Sequence, residues 1–238
     1  MIKRLFEAFL VCMNDINQHS VLVLIPAYNA GKYLDELIPR CLKYVCKSNL
    51  HLVNDGSSDN TLELIKKHDM KFISFPENRG KGAALMAGFD YAIKENYRSV
   101  LTIDADLQHL PEEIPRFFAL DNGKRMIMGT RDIDLKIMPF ARWLTNNLTS
   151  MIISIFSSQR VRDSQSGYRL IPTAVLKSIP LTTVKYDFES EMLFKAGTVG
   201  CVIAEVPIST VYDGSQSYIN PFVDTGRFIR QIWHRIFA

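Results

Sequence analysis

The stretch Ser99–Pro115, SVLTIDADLQHLPEEIP, runs Val100, Leu101 and Ile103 as a buried strand and ends that strand in Asp104 and Asp106. Two carboxylates one residue apart at a strand end repel each other in low dielectric, so the arrangement needs a cation to be tolerable. The segments before it say what kind of sheet this strand joins. VLVLIPAYN, from Val21, is a continuous apolar run up to Pro26, the pattern of a strand buried on both faces of a parallel sheet. KYLDELIPRCLKYV then places Leu34, Leu37 and Ile38 on one helical face. HLVNDG reads as a second strand, with Ser57, Ser58 or Asp59 available to cap a helix through TLELIKKH. KFISFP is a third strand, GKGAALMAGFDYAIKEN a helix, and VLTID a fourth strand. Strand and helix alternating at this spacing predict an α/β fold with a mostly parallel central sheet flanked by helices.

Sheets of that kind bind ligands beyond the carboxyl ends of their strands. The unusual polar residues fall there: Tyr28 and Asn29, then Asp55, then Asn78 to Lys81, then Asp104 and Asp106. Four consecutive strand ends therefore point to one crevice. Further on, RMIMGTR reads as a strand, Arg142 to Phe156 as a long helix and CVIAEVPIS as a late strand. No repeat or linker divides the chain. The expected organisation is an N-terminal helical extension over 1–20, one catalytic domain over 21–210, and a C-terminal loop and amphipathic helix over 211–238.

The 238 residues, 22% charged and 47% apolar, suit one globular domain. A net charge of +3 from scattered basic residues argues against nucleic acid as a partner. Four cysteines without a C-x-x-C pair or zinc spacing read as buried thiols of a reducing compartment. No window reaches the roughly 20 uninterrupted apolar residues of a membrane span. The most apolar one, MPFARWLTNNLTSMIISIF, contains Arg142, Asn146 and Asn147. In DTGRFIRQIWHRIFA, however, Phe228, Ile229, Ile232, Trp233, Ile236 and Phe237 recur at helical spacing against Arg227, Arg230, His234 and Arg235. That pattern fits either a helix lying in a membrane interface beside anionic lipid or a terminal helix docked on its own domain. Peripheral contact with the cytoplasmic face of a membrane is the expectation.

Taken together, IPAYNAGKYLDELI, LVNDGSSDNT, ENRGKGAAL, TIDADLQHLPEEI, GTR and VRDSQSGYRLI resemble the inverting glycosyltransferases of family 2. Within that family the pattern is most similar to the dolichyl- or polyprenyl-phosphate mannosyl- and glucosyltransferases, over a span from about Val21 to Pro207. The resemblance implies the GT-A nucleotide-diphospho-sugar transferase fold, a UDP- or GDP-hexose donor, Mg²⁺ or Mn²⁺, and a lipid-phosphate acceptor. It also implies roles. Asp104 and Asp106, with Gln108, would hold the ion, and Mg²⁺ typically takes only one or two protein carboxylates and completes its shell with phosphates and water. Asp55 would read the donor base, and a carboxylate accepts from the N–H edge of uracil and of guanine alike. Pro26, Tyr28 and Ala105 would line the donor, and Lys81, with Arg79, would favour its negative charge. Arg131 of GTR and Arg142 would face phosphate oxygens, which Arg holds bidentately. Asp163 and Gln165 would stand beside the acceptor.

Departures from the family pattern bear on the acceptor. Ala30 stands where an acidic residue commonly follows the Asn of P-x-Y-N, and Asn54 where a second Asp often precedes Asp55. STVYDGSQSYINPF carries Asp213 and no basic residue where such synthases offer an Arg and a Lys. A lipid monophosphate, with a second pKa near ~6, could attack the sugar carbon by placement alone. A hydroxyl acceptor would need a carboxylate base, Asp163 first and Glu189 or Glu191 behind it. A non-catalytic sugar-nucleotide-binding protein stays open as the other class.

Overall fold

In the computed structural model, which describes residues 20–131, 140–157, 159–183 and 188–209, the strands are β1 (Val21–Ala27), β2 (Leu50–Asn54), β3 (Lys71–Ser74), β4 (Ser99–Thr102), β5 (Met126–Arg131), β6 (Arg169–Pro172) and β7 (Ile203–Ile208). They form one sheet in the order β3-β2-β1-β4-β6-β5-β7. The helices are α1 (Gly31–Cys41), α2 (Thr61–Lys67), α3 (Lys81–Lys94), α4 (Ile114–Leu120), α5 (Phe140–Ser157), α6 (Thr173–Ser178) and α7 (Phe188–Thr198). The segments 1–19 and 210–238, which hold the expected N-terminal extension and the C-terminal amphipathic helix, lie outside the described residues.

β1 explains why the sheet needs cover on both sides. Its side chains alternate, so Val21, Val23 and Ile25 enter a core with α1, α2 and α4, while Leu22 and Leu24 enter a second core with α3, α5, α6 and α7. All five of these residues are at most 1% exposed, hence the unbroken apolar run. The helix α3 lies close against β1: a Cβ on Gly88 would meet Leu24 Cδ2 at 2.3 Å, so only glycine allows that approach.

β1, β2, β3 and β4 pair in parallel, as their sequences predict. The second half differs, because β6 is antiparallel to both β4 and β5. Two antiparallel steps restore the original direction, so β5 runs parallel to β4, and β7 pairs in parallel with β5. The C-terminal end of β5, with Arg131, thereby rises on the same edge of the sheet as Asp104. β6 is not anticipated by the sequence, since RLIP is four residues long and begins with an arginine. Cys41 and Cys201 are buried and unbridged. Among the described residues, no helix is long and apolar enough to cross a membrane.

Candidate active site

The loops after β1 and β2 are laced together by polar side chains. Asn29 takes the left-handed conformation, φ 49°, where its backbone N–H reaches Ser57 Oγ at 3.0 Å and its Oδ1 accepts from Ser58 N at 2.9 Å. Asp59 accepts from Gly31 N and Thr61 N, both at 3.0 Å, and so ties the start of α1 to the start of α2. Ala30, buried in this turn, donates its N–H to Thr61 Oγ1 at 2.8 Å. Pro26 sits in β1 opposite Val53, and Tyr28 stands 48% exposed on the rim.

Asp55, 2% exposed, shapes the next loop. Its carboxylate accepts from Arg79 N at 2.8 Å, Gly80 N at 2.9 Å and Asn78 Nδ2 at 3.1 Å. Those bonds fix the backbone just before α3 and so aim Lys81, the first residue of that helix. Arg79 stacks its guanidinium on Phe75, 4.9 Å from the ring centroid.

Lys81 bridges the two halves of the chain. Its ammonium lies 2.6 Å from Asp104 Oδ1 at the end of β4 and 2.7 Å from Glu189 Oε1 in the first turn of α7. Burial opposes ionisation of Asp104, but the neighbouring ammonium outweighs it and brings the carboxyl down to about 2. Asp106 goes the other way. Burial, and after it the negative charge of Asp104, push its carboxyl up to about 6. The turn carrying the pair is tight, with Leu107 at φ 60° and Gln108 N donating to Asp106 Oδ1 at 3.0 Å. Ala105, between the two aspartates, is 9% exposed and packs into the core beneath them.

Three neighbours complete the floor. Gly167 lies against Asp104, since a Cβ there would meet Oδ2 at 2.5 Å. His109, buried beside Tyr168, turns Nδ1 to within 3.6 Å of Asp104 Oδ2 without a hydrogen-bond partner, and burial lowers its pKa to about 4. Arg131 is gripped by Asp163 through Nε at 2.6 Å and the second guanidinium nitrogen at 2.8 Å, and its charge is felt at Asp104. Asn146 of α5 donates to the same Asp163 at 3.3 Å, and the carboxyl is held below its usual range by the Arg131 hydrogen bonds against the opposing effect of burial.

Loop 163–167 itself hangs on Arg169, which is 1% exposed. Its guanidinium donates to the carbonyls of Ser164, Ser166 and Glu189 at 2.6–2.7 Å, and burial pushes its pKa down to about 10. Glu191 serves the scaffold as well. It accepts from Thr182 and Thr183 and pairs with Lys195, so its carboxyl lies down at about 2 although burial opposes this. Gln165 is half-buried in the same loop. The Arg142 side chain lies outside the described part of the structure.

The carboxylate pair suits a hard cation. Among the described residues no cluster of three or more His, Cys, Asp or Glu could hold a metal alone. Two carboxylates are enough for an ion whose shell substrate phosphates and water complete. Two half-buried acids, one of them pushed up to about 6 by burial and by the charge of the other, also fit a site that takes a further positive charge. Sequence reasoning singled out Asp104, Asp106, Gln108, Lys81, Asp55, Arg131 and Asp163; in the structure Lys81 contacts Asp104, Gln108 contacts Asp106 and Arg131 contacts Asp163, while Asp55 meets Lys81 only through the backbone of Arg79 and Gly80. It missed Gly167, His109, Arg169 and the Lys81–Glu189 pair. The glycine inside DSQSGYR was a readable signal; the pairing was not.

An α/β sheet with this mixed order and two acidic residues at the end of its fourth strand defines a sugar-nucleotide transferase architecture of the GT-A type. Residues 22–178 match the model of glycosyl transferase family 2, and the chain belongs to that family. The polyprenol monophosphomannose synthase of Mycolicibacterium smegmatis is 28% identical over 79% of this chain and 76% of its own length. The UDP-N-acetylglucosamine–dolichyl-phosphate N-acetylglucosaminyltransferase of Methanococcus voltae is 29% identical over 81% of this chain and 86% of its own. Among solved structures, glucosyl-3-phosphoglycerate synthase from Mycobacterium tuberculosis, crystallised with Mn²⁺, UDP-glucose and phosphoglyceric acid, superposes with a TM-score of 0.72. It is 16% identical, covering 95% of this chain and 82% of its own, and establishes a shared fold.

Proposed function

We propose that this glycosyltransferase moves a hexose from a UDP- or GDP-sugar to a polyprenyl phosphate, with inversion, in a reaction that depends on Mg²⁺ or Mn²⁺. The observation that carries the reading is the Asp104–Asp106 pair, brought beside Arg131 by the antiparallel insertion of β6. A divalent ion held there by Asp104, Asp106 and Gln108 would offset the charge of the departing diphosphate. Pro26, Tyr28 and Ala105 line the nucleotide side in this reading. Asp55 holds the Asn78–Gly80 loop and offers its remaining acceptor capacity to the base. Arg131 meets diphosphate oxygens, and Asp163 is its positioning residue.

The acceptor follows from the state of the candidate bases. Asp163 is taken by Arg131, Glu189 by Lys81 and Glu191 by Thr182, Thr183 and Lys195. A hydroxyl acceptor would need one of them to take a proton. A phosphate monoester dianion brings its own nucleophilic oxygen and needs none, which favours the lipid phosphate, the acceptor class in the name of the Methanococcus voltae relative. One of its oxygens bonds to the anomeric carbon as the bond to the diphosphate breaks on the opposite face, and a nucleoside diphosphate leaves. Such an acceptor stays in a bilayer, so the reading includes peripheral contact at the cytoplasmic face. Leu148, Met151 and Ile155, exposed by 38%, 54% and 66% at helical spacing on α5, support a membrane-facing side.

The test is a panel of UDP- and GDP-sugars with Mn²⁺, read as thermal stabilisation and then as nucleoside diphosphate release on adding a polyprenyl phosphate. The correct donor raises Tm with metal present. Stabilisation by a donor with no release above a boiled control would reduce the protein to a sugar-nucleotide binder.

A further inference from the structure

The Lys81–Glu189 contact belongs to none of the roles above. Its carboxylates come from opposite halves of the chain, and the ammonium between them touches the acid expected to hold the metal. The Glu189 side chain is 9% exposed, so its charge cannot rely on water. Arg169 fixes its position by donating to the Glu189 carbonyl at 2.6 Å. Lys81 is fixed in turn at its backbone, through the grip of Asp55 on Arg79 and Gly80. Only the flexible four-carbon stem of the lysine is left to move, and it already reaches both acceptors.

We infer that Lys81 and Glu189 form a built-in counter-ion device for the metal pocket: the ammonium neutralises Asp104 while no divalent ion is bound, and Glu189 takes the ammonium over when one arrives. The inference rests on the reading of Asp104 and Asp106 as metal-holding residues. Its physical basis is that a divalent ion and an ammonium compete for one carboxylate oxygen and repel each other at that distance. Release of Lys81 from this half-buried site costs least where another anion receives it. Glu189 is that anion, close enough that the hand-over needs only a shift along contacts already made. Of the other groups around Asp104, His109 and Arg131 provide no negative charge for the purpose, and Asp106 is a ligand of the ion in this reading. Glu189 is thus a positioning residue that sets metal affinity through Lys81.

The experiment titrates Mn²⁺ into the full chain, alone and with UDP or GDP, and reads free Mn²⁺ by electron paramagnetic resonance. Glu189→Gln should weaken Mn²⁺ binding about tenfold, because Lys81 then keeps its contact with Asp104, a residue the ion needs. Lys81→Met should strengthen binding severalfold, and the double variant should follow Lys81→Met, since Glu189 acts through the lysine. A purely structural role would lower affinity in every variant. Equal Mn²⁺ affinity in parent and Glu189→Gln overturns the inference while leaving the metal reading intact. A parent chain that leaves all Mn²⁺ in solution, even with nucleoside diphosphate, removes the metal reading and the inference with it. If Lys81→Met does not fold, as circular dichroism would reveal, the Glu189→Gln titration alone decides.

Discussion

At the end of β4 the Lys81 and Asp104 side chains each keep 24% of their surface exposed, while at the end of β5 Arg131 and Asp163 keep 7% and 0%. Both are ion pairs at strand ends on one edge of one sheet. The first is shared among three residues and reached by solvent; the second is bidentate and closed, with Asn146 on a remaining lone pair. A pair that water and substrate can reach is able to change partners, whereas a sealed pair fixes a position, because separating it would strand a charge in low dielectric. The parallel half of the sheet thus supplies exchangeable charge, and the antiparallel insertion supplies charge that holds still.

The largest effect should come from the exchangeable side. Asp104→Asn and Asp106→Asn are expected to lower metal-supported nucleoside diphosphate release by at least about 10³-fold, equivalent to roughly 4 kcal/mol of barrier. Asp106→Asn should cost little stability, since it removes the acid that burial and Asp104 push up to about 6, whereas Asp104→Asn also removes a partner of Lys81 and should cost more. Release assays beside urea denaturation check both halves of the statement. Transfer at the parent rate in either variant would remove the distinction between the two pairs.

The sealed side should respond in the opposite sense. Asp163→Ala leaves the Arg131 guanidinium buried without its carboxylate, at an expected cost of about 3–5 kcal/mol in unfolding free energy. Arg169→Met, which abandons three backbone carbonyls, should fall in the same range. Denaturation midpoints measure this directly. A fully stable Asp163→Ala protein with lost activity would move Asp163 from positioning to the reaction itself.

How much of this was legible follows the same division. β1, β2 and β4 announce themselves because a strand buried on both faces must be apolar throughout, and the polar residues that follow them tie the strand-end loops together. The second half hides its logic. Arg169 reads as a surface residue, yet it is 1% exposed, because its acceptors are carbonyls and any sequence provides carbonyls. Asp163 was expected beside the acceptor, and its contact with Arg131, 32 positions earlier, is one that no local pattern in the sequence displays. Glu189 and Glu191 look alike in FESEM. The fold turns one towards Lys81 and the other towards Thr182 and Lys195.

The smallest predicted effect concerns the other end of β2, away from Asp55. His51 is 3% exposed, stacks on Tyr91 with ring centroids 4.2 Å apart, and has no hydrogen-bond partner among the described residues at either ring nitrogen. Burial, helped by the charge of Lys71, lowers its pKa from 6.5 to about 4. Between those two values the unfolded chain binds a proton that the folded chain refuses. Stability from this residue is therefore complete above pH 6.5 and declines as the pH falls towards 4. His51→Phe keeps the stacking and removes the titration, so the acid-induced fall in Tm should shrink by an amount equivalent to about 1–3 kcal/mol. Part of the fall should persist, because His109 is depressed to about 4 as well. Nucleoside diphosphate release at neutral pH should be unchanged, since His51 lies near the start of β2, away from the proposed site at its other end. If His51→Phe instead impaired release while leaving the acid transition as steep as in the parent, strand starts and strand ends in the parallel half could no longer be assigned separate work.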